Sequence, residues 1–292
     1  MSLFDRLVAE AMQADAALGT VQAAVEKELL HHDILREMSQ AGLLAGLTFI
    51  GGTCLRACYG SPRLSEDLDF TGGSDFVPDS LDGLGRTLES TLMDKYGLPV
   101  TVSDPTRNGG NVSTWKLRLE TKPAARHLPA QRIHIDICAL DSHEVRPAFL
   151  RNDYGVDMGT RGLIVQVQAR EEIVVDKWIA LAFRPNRVQY RDLWDILWLD
   201  HRGVDLVPDL LAQKLRDRDL DAGVFHDRLG NRIAALEDDA SHMHAFRREM
   251  ERFLGKTDLR ESVTSPDFWP LLILTLREKA ARMAYTSHRV SS

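Results

Sequence analysis

Asp67 and Asp69 raise the first chemical question. They stand two residues apart in Asp67-Leu68-Asp69-Phe70-Thr71, where polar and apolar residues alternate as on a strand. On a strand, side chains two apart point to the same face. Paired carboxylates repel each other and are tolerated when a cation sits between them. Mg2+ suits such a pair, because it takes a few carboxylates together with the phosphate oxygens of a substrate. Upstream lies Leu47-Thr48-Phe49-Ile50, a short β-type run that ends at Gly51-Gly52. Thr53-Cys54-Leu55-Arg56-Ala57-Cys58-Tyr59 then reads as a short helix with Thr53 near its N-cap. Two glycines at a strand end let the backbone turn sharply and approach a ligand closely. The first amides of the helix suit a phosphate. A phosphate cradle beside a carboxylate pair is the minimum apparatus for phosphoryl or nucleotidyl transfer. Taken singly, an Asp-x-Asp is commonly a solvated strand face. The order strand, turn, helix, carboxylate strand is what carries the reading.

A third carboxylate is expected from a further strand. Asp136 lies inside the apolar run Ile133-His134-Ile135-Asp136-Ile137, where an acid is costly unless paired or bound to metal. His134 shares its face if the run is a strand. Glu120, after Trp115-Lys116-Leu117-Arg118-Leu119, is the alternative. A second block holds Glu171, Glu172, Asp176, Lys177, Leu181 and Arg184, then Arg191-Asp192-Leu193-Trp194-Asp195. Lys177, Leu181 and Arg184 lie near one helix face. A Lys and an Arg turned to a metal–triphosphate site would neutralise developing charge. Asp192 and Asp195 open a helix, where carboxylates suit the dipole, or serve as ion-pair partners of Lys177 and Arg184. A salt-bridged helix pair is the plainer reading of this block. Trp178, Trp194 and Trp198 recur with aliphatic residues at helical spacing and read as core.

The elements that must position these residues fall into two halves. The first forty or so residues read as two helices, with Phe4, Leu7, Val8, Met12 and then Val21, Val25, Leu29, Leu30 at helical spacing. His31 and His32 read as surface or core-edge residues. Residues 79–96 look helical, with Leu81, Leu84, Leu88 and Leu92 on one face. Val100–Val102, Val112–Leu119 and Ile133–Cys138 are strand-like, with a turn at Arg107–Asn111. A further strand, Leu163–Val167, leads into a helix over Arg170–Phe183, and the chain then reads as almost wholly helical. The expected fold is α/β (α+β): a mixed sheet with flanking helices over residues 1–160, then a mostly helical domain over 161–292, with the site in the cleft between them.

The chain has 292 residues, 44% apolar and 27% charged, as in an ordinary globular protein. Cys54, Cys58 and Cys138 are too few and oddly numbered for a disulfide framework. The N-terminus carries acids and no long apolar run, and no segment approaches the ~20 apolar residues of a membrane span. A cytoplasmic protein is the expectation. The net charge of −7 argues mildly against broad nucleic-acid binding. Local basic runs remain: Arg247, Arg248, Arg252 and Lys256, then Arg277, Lys279, Arg282 and Arg289. Such stripes could track an RNA backbone.

Gly-Gly-Thr-x-Leu-Arg followed by Tyr-Gly-x-Pro-Arg-x-Ser-Glu-Asp-Leu-Asp-Phe closely resembles the AbiEii-type nucleotidyltransferase toxins of type IV toxin–antitoxin and phage-defence systems, which include the MenT toxins. The resemblance is nearly continuous over residues 49–70 and returns near 171–199. It implies a nucleotidyltransferase-like fold and transfer of a nucleoside monophosphate from an NTP, with Mg2+ or Mn2+. Asp67, Asp69 and Asp136 would hold metal, and with Lys177 they form the expected catalytic set. Gly51, Gly52, Thr53, Arg56, Arg63, Ser65, Lys177, Arg184 and Asp192 would bind nucleotide, with Lys116 a further phosphate candidate. By analogy with MenT relatives, the acceptor would be the 3′ end of tRNA and the partner a winged-helix antitoxin. A small-molecule nucleotidyltransferase of antibiotic-modifying type is the alternative, and an NTP-binding protein without turnover is another.

Overall fold

The structure is a computed structural model that describes residues 2–105, 110–122, 130–185 and 187–290, with the side chains of 286–290 excepted. The turn expected at Arg107–Asn111 falls largely outside these residues. The chain forms two compact units, Met1–Gln168 and Ala169–Ser292.

The first unit is built on a seven-stranded sheet of order β3-β4-β5-β2-β1-β7-β6. Its strands are β1 Thr48–Ile50, β2 Leu68–Thr71, β3 Val100–Ser103, β4 Val112–Leu119, β5 Gln131–Cys138, β6 Val145–Phe149 and β7 Ile164–Gln168. β1 runs antiparallel to β2 and parallel to β7, and β2 runs parallel to β5, so the sheet is mixed. Phe49 and Phe70 stack across β1 and β2 with centroids 5.1 Å apart. In β5, Ile133, Ile135 and Ile137 are buried, while His134 between them is exposed and Asp136 half-buried. That alternation gives the sheet one apolar and one polar side here. β6 escapes the sequence reading because Val145-Arg146-Pro147-Ala148-Phe149 shows no alternation and carries a proline. It is an edge strand, where the missing N–H of Pro147 costs no ladder bond. β7 pairs with β1 and β6 and so stays with the sheet, and the chain divides after it.

Four helices accompany this sheet: α1 Leu3–Ala14, α2 Gln22–Gln40, α3 Gly51–Ala57 and α4 Leu84–Tyr96. Ser2 and Asp5 close a capping box on α1. α4 is shorter than the helix expected over 79–96. Pro78–Leu81 forms a separate 3-10 turn, and Gly83 at φ 88° breaks the path before α4 begins. α2 departs further from expectation, because it is buried around most of its circumference, with Glu28, His31, His32 and Asp33 among the buried residues. These polar groups find partners from distant segments. His32 Nδ1 lies 2.9 Å from Thr160 Oγ1. Asp33 receives Lys95, Arg36 and Tyr96. Helical spacing shows apolar faces and cannot show a buried polar stripe served by other elements.

The second unit is helical, as expected: α5 Arg170–Phe183, α6 Tyr190–His201, α7 Pro208–Arg216, α8 Ala222–Asp238, α9 Ser241–Met250, α10 Lys256–Glu261 and α11 Phe268–Val290. Trp178, Trp194 and Trp198 are buried, and Trp194 stacks on Phe268 at 6.0 Å. Lys214 and Glu172 form a fully buried ion pair at 2.6 Å, with Asp176 3.1 Å from the same ammonium.

Candidate active site

The two glycines make room for two side chains. Ile50 and Asp69 are register partners across β1 and β2. Gly51 therefore turns directly beside the Asp69 carboxylate, at φ 75°, and a Cβ there would stand 2.9 Å from Asp69 Oδ2. At Gly52 a Cβ would run into the Arg63 guanidinium. α3 starts at Gly51, two residues earlier than expected, because the left-handed glycine itself makes the turn. Thr53 is thus not an N-cap. Its buried hydroxyl shares a hydrogen bond with Ser65 Oγ at 2.7 Å and donates to the Asp67 carbonyl. The side chain ties α3 to the segment that carries Asp67. Only the backbone amides of this first turn have the geometry for an anion, since they lack partners within the helix.

The acids come together through strand register. Asp69 on β2 is the direct partner of Asp136 on the parallel β5. Both face away from the buried Leu68, Phe70, Ile135 and Ile137. Asp136 Oδ1 is buried and has no hydrogen-bond partner among the described residues. Asp67, just before β2, accepts from the His134 amide at 3.0 Å, and its Oδ1 lies 3.4 Å from His134 Nδ1. β4 adds Thr114 opposite Asp136 and the exposed Lys116 opposite His134. Glu120 does not join them. It follows β4 six residues beyond Thr114, roughly 20 Å along an extended chain, and pairs with Arg118 at 2.6 Å.

Among the described residues, no three His, Cys, Asp or Glu side chains form a ready-made metal cage. The donor chemistry nevertheless fits a hard divalent cation. Adjacent carboxylates with an unsatisfied buried oxygen call for a cation, and Mg2+ commonly completes its shell with substrate phosphates and water.

Arg56, Arg63 and Ser65 stand behind the turn. Arg56 Nε donates to Glu28 at 3.0 Å, and the same guanidinium lies 5.7 Å from the centroid of the Tyr154 ring. Glu28 Oε1 also accepts from the Ser65 amide at 2.9 Å. Arg63 is buried and donates to the Leu64 carbonyl at 2.9 Å. In this arrangement the three residues brace Gly52 and the Asp67 segment. Sequence reasoning missed Glu28, whose only signal was an acid beside Leu29 and Leu30 on an apolar helix.

In the second unit, Lys177 lies 2.7 Å from Asp192 Oδ1 and 2.9 Å from Asp195 Oδ2. Arg184 reaches Asp192 Oδ2 at 3.1 Å. The plainer reading of this block, acids holding cations between two helices, is therefore present in the structure. Arg184 caps the C-terminus of α5, its N–H donating to the Ala180 carbonyl, and it meets Lys177 at Asp192.

The family described as "Nucleotidyl transferase AbiEii toxin, Type IV TA system" matches residues 33–272. The chain belongs to this family. The AbiEii match spans the Gly51 turn, the acidic face and the Lys177 cluster. An AbiEii toxin is a nucleotidyltransferase of a type IV toxin–antitoxin system, so an NTP is its substrate class and an antitoxin its counterpart. No curated protein matches the chain. Among solved structures, JHP933 from Helicobacter pylori is 16% identical, with a TM-score of 0.48 over 92% of this chain and 98% of that one. A candidate nucleotidyltransferase from H. pylori is 17% identical, with a TM-score of 0.49 over 88% and 98%. Among the described residues, no helix is long and apolar enough to cross a membrane.

Proposed function

We propose that this AbiEii protein transfers a nucleoside monophosphate from an NTP to the 3′ end of tRNA, with Asp67, Asp69 and Asp136 as its chemical centre. The observation that carries this reading is the register pairing of Asp69 with Asp136, whose Oδ1 is buried without a partner among the described residues. Asp67 and Asp69, with Asp136, would hold Mg2+ or Mn2+, which when bound neutralises the phosphate oxygens. The acceptor hydroxyl oxygen forms a bond to the α-phosphorus, pyrophosphate leaves, and Asp136 takes the hydroxyl proton. His134 keeps Asp67 in place through its amide and ring. The first amides of α3, at Gly51, Gly52 and Thr53, are assigned to phosphate oxygens. Lys177 is assigned to phosphate by the family resemblance, with Asp192 and Asp195 fixing its ammonium. A winged-helix antitoxin is the proposed counterpart, and the cytoplasm the proposed location.

The test supplies each α-labelled NTP with Mg2+ and total tRNA to the purified protein and to Asp69→Asn. Label in tRNA from the unmutated protein alone is the expected result. If the unmutated protein labels no RNA with any NTP, the tRNA acceptor is wrong. Label passing instead to a small hydroxyl compound would establish the small-molecule reading.

A further inference from the structure

The second unit contains a basic hollow that the assignments above leave unused. It measures about 400 Å3 and lies between the end of α5 and one face of α8. Phe183 and Arg184 line it from α5, and Arg228, Asn231 and Arg232 from α8. The α8 residues recur three or four apart, as one helix face requires. Among the described residues, no acid lines the hollow. Arg232 donates to the Arg184 carbonyl at 2.9 Å, which satisfies a backbone group at the end of α5 but cancels no charge. Arg228 lies over the Phe183 ring at 5.0 Å, is exposed, and has no carboxylate partner among the described residues. Arg184 shares Asp192 with Lys177. Three arginines thus line a concave site, and only Arg184 has a carboxylate partner among the described residues.

Two cations of the second basic run noted in the sequence are paired with acids. Arg277 pairs with Glu237 at 2.9 Å. Lys279 is held by Asp200 at 2.5 Å and Asp205 at 3.2 Å. The side chain of Arg289 lies outside the described residues. In a chain of net charge −7, an uncompensated cationic hollow is where a polyanion is confined.

We infer that this hollow binds a backbone phosphate of the RNA acceptor, with Arg228 and Arg232 as donors and the Phe183 ring beneath Arg228. Arginine is suited to the task, because its planar fork matches phosphate oxygens and stacks on aromatic rings. The inference rests on the proposal that the acceptor is RNA. The shared chemistry, a phosphate, is also present in the NTP, so the experiment must separate the two.

Arg228 is the clean probe, since its side chain makes no ion pair among the described residues. Binding of a fluorescent tRNA and of each NTP is measured by anisotropy over a range of salt, for the unmutated protein, Arg228→Ala, Arg228→Glu and Arg228→Lys. Thermal melts check that each variant is folded. The expected result is weaker tRNA binding in Arg228→Ala, with the log–log salt slope reduced by about one. Arg228→Glu should lose more, Arg228→Lys should recover only part of what Arg228→Ala loses, because it keeps the charge without the planar fork, and NTP affinity should not move. Unchanged tRNA affinity and salt slope in folded Arg228→Ala and Arg228→Glu would overturn the inference, even with tRNA labelling intact in the unmutated protein. Weaker NTP binding with tRNA binding unchanged would overturn it as well, by moving the phosphate to the nucleotide. Absence of any tRNA binding or labelling by the unmutated protein overturns the acceptor proposal itself, and the inference with it.

Discussion

Asp69 and Asp136 stand side by side on parallel neighbouring strands, each the other's register partner. Strands in a sheet lie ~4.8 Å apart, so two ionised carboxylates in this position repel. Asp136 adds an oxygen buried without a partner among the described residues. In the proposed function a bound cation offsets that repulsion.

Activity and stability should part company at this pair. Asp69→Asn and Asp136→Asn are each expected to lower transfer by at least ~10²-fold, on the scale of lost charge stabilisation in a transition state. Removing one of two like charges should leave stability equal or higher. Urea unfolding beside an NTP-labelling assay checks both. Variants that label at the normal rate, or unfold much more easily, would place the acids in a structural role.

Gly51 should tolerate no side chain. Its φ of 75° is left-handed, and a Cβ would meet Asp69 Oδ2 at 2.9 Å. Gly51→Ala is expected to cost about 1–2 kcal/mol from backbone conformation alone, and to displace the Asp69 carboxylate. The readout is the urea midpoint together with the rate of transfer. A variant of normal stability and rate would contradict the close approach of the turn to Asp69.

Lys177 neutralises two buried acids, one of them Asp195 with no exposed side-chain area. Lys177→Met takes the ammonium from both, leaves Asp192 to Arg184 alone, and should destabilise by about 3–5 kcal/mol. Adding Asp195→Asn should return part of that loss, because the remaining buried charge is removed. A double-mutant cycle in urea measures the coupling. Additive losses would show that the pair does not act as a unit.

A pH dependence follows from α2. His32 is buried, which pushes its pKa down to about 4 despite the attraction of Glu28, and His31 and Arg56 push the same way. Burial likewise lowers His31. Both stay neutral in the fold and take a proton on unfolding near the ordinary value of ~6.5. The unfolded state then binds more protons, so stability is fully present above about pH 6.5. It falls as the pH drops toward 4, by about 1.4 kcal/mol per unit for His32 in that window, and His31 acts in the same direction. Urea unfolding between pH 7.5 and 5 should show the slope, and His32→Gln should flatten it. A slope that survives the substitution unchanged would exclude His32 as its source.

Period-2 alternation in Asp67–Thr71 and Ile133–Cys138 told which residues share a face, because backbone geometry alone sets that rule. The glycine pair and the change to helical spacing after Arg170 were readable on the same local grounds. Local rules do not reach across strands. Nothing in the sequence says that β5 lies next to β2, so the choice of Asp136 over Glu120 as the partner of Asp69 was made by sheet order and register. Nor could spacing show that Gly52 makes room for Arg63, that Thr53 serves as a tie and not a cap, or that Glu28 joins Arg56 to Ser65. Those contacts link residues far apart in the chain, and only packing brings their polar atoms within hydrogen-bond distance.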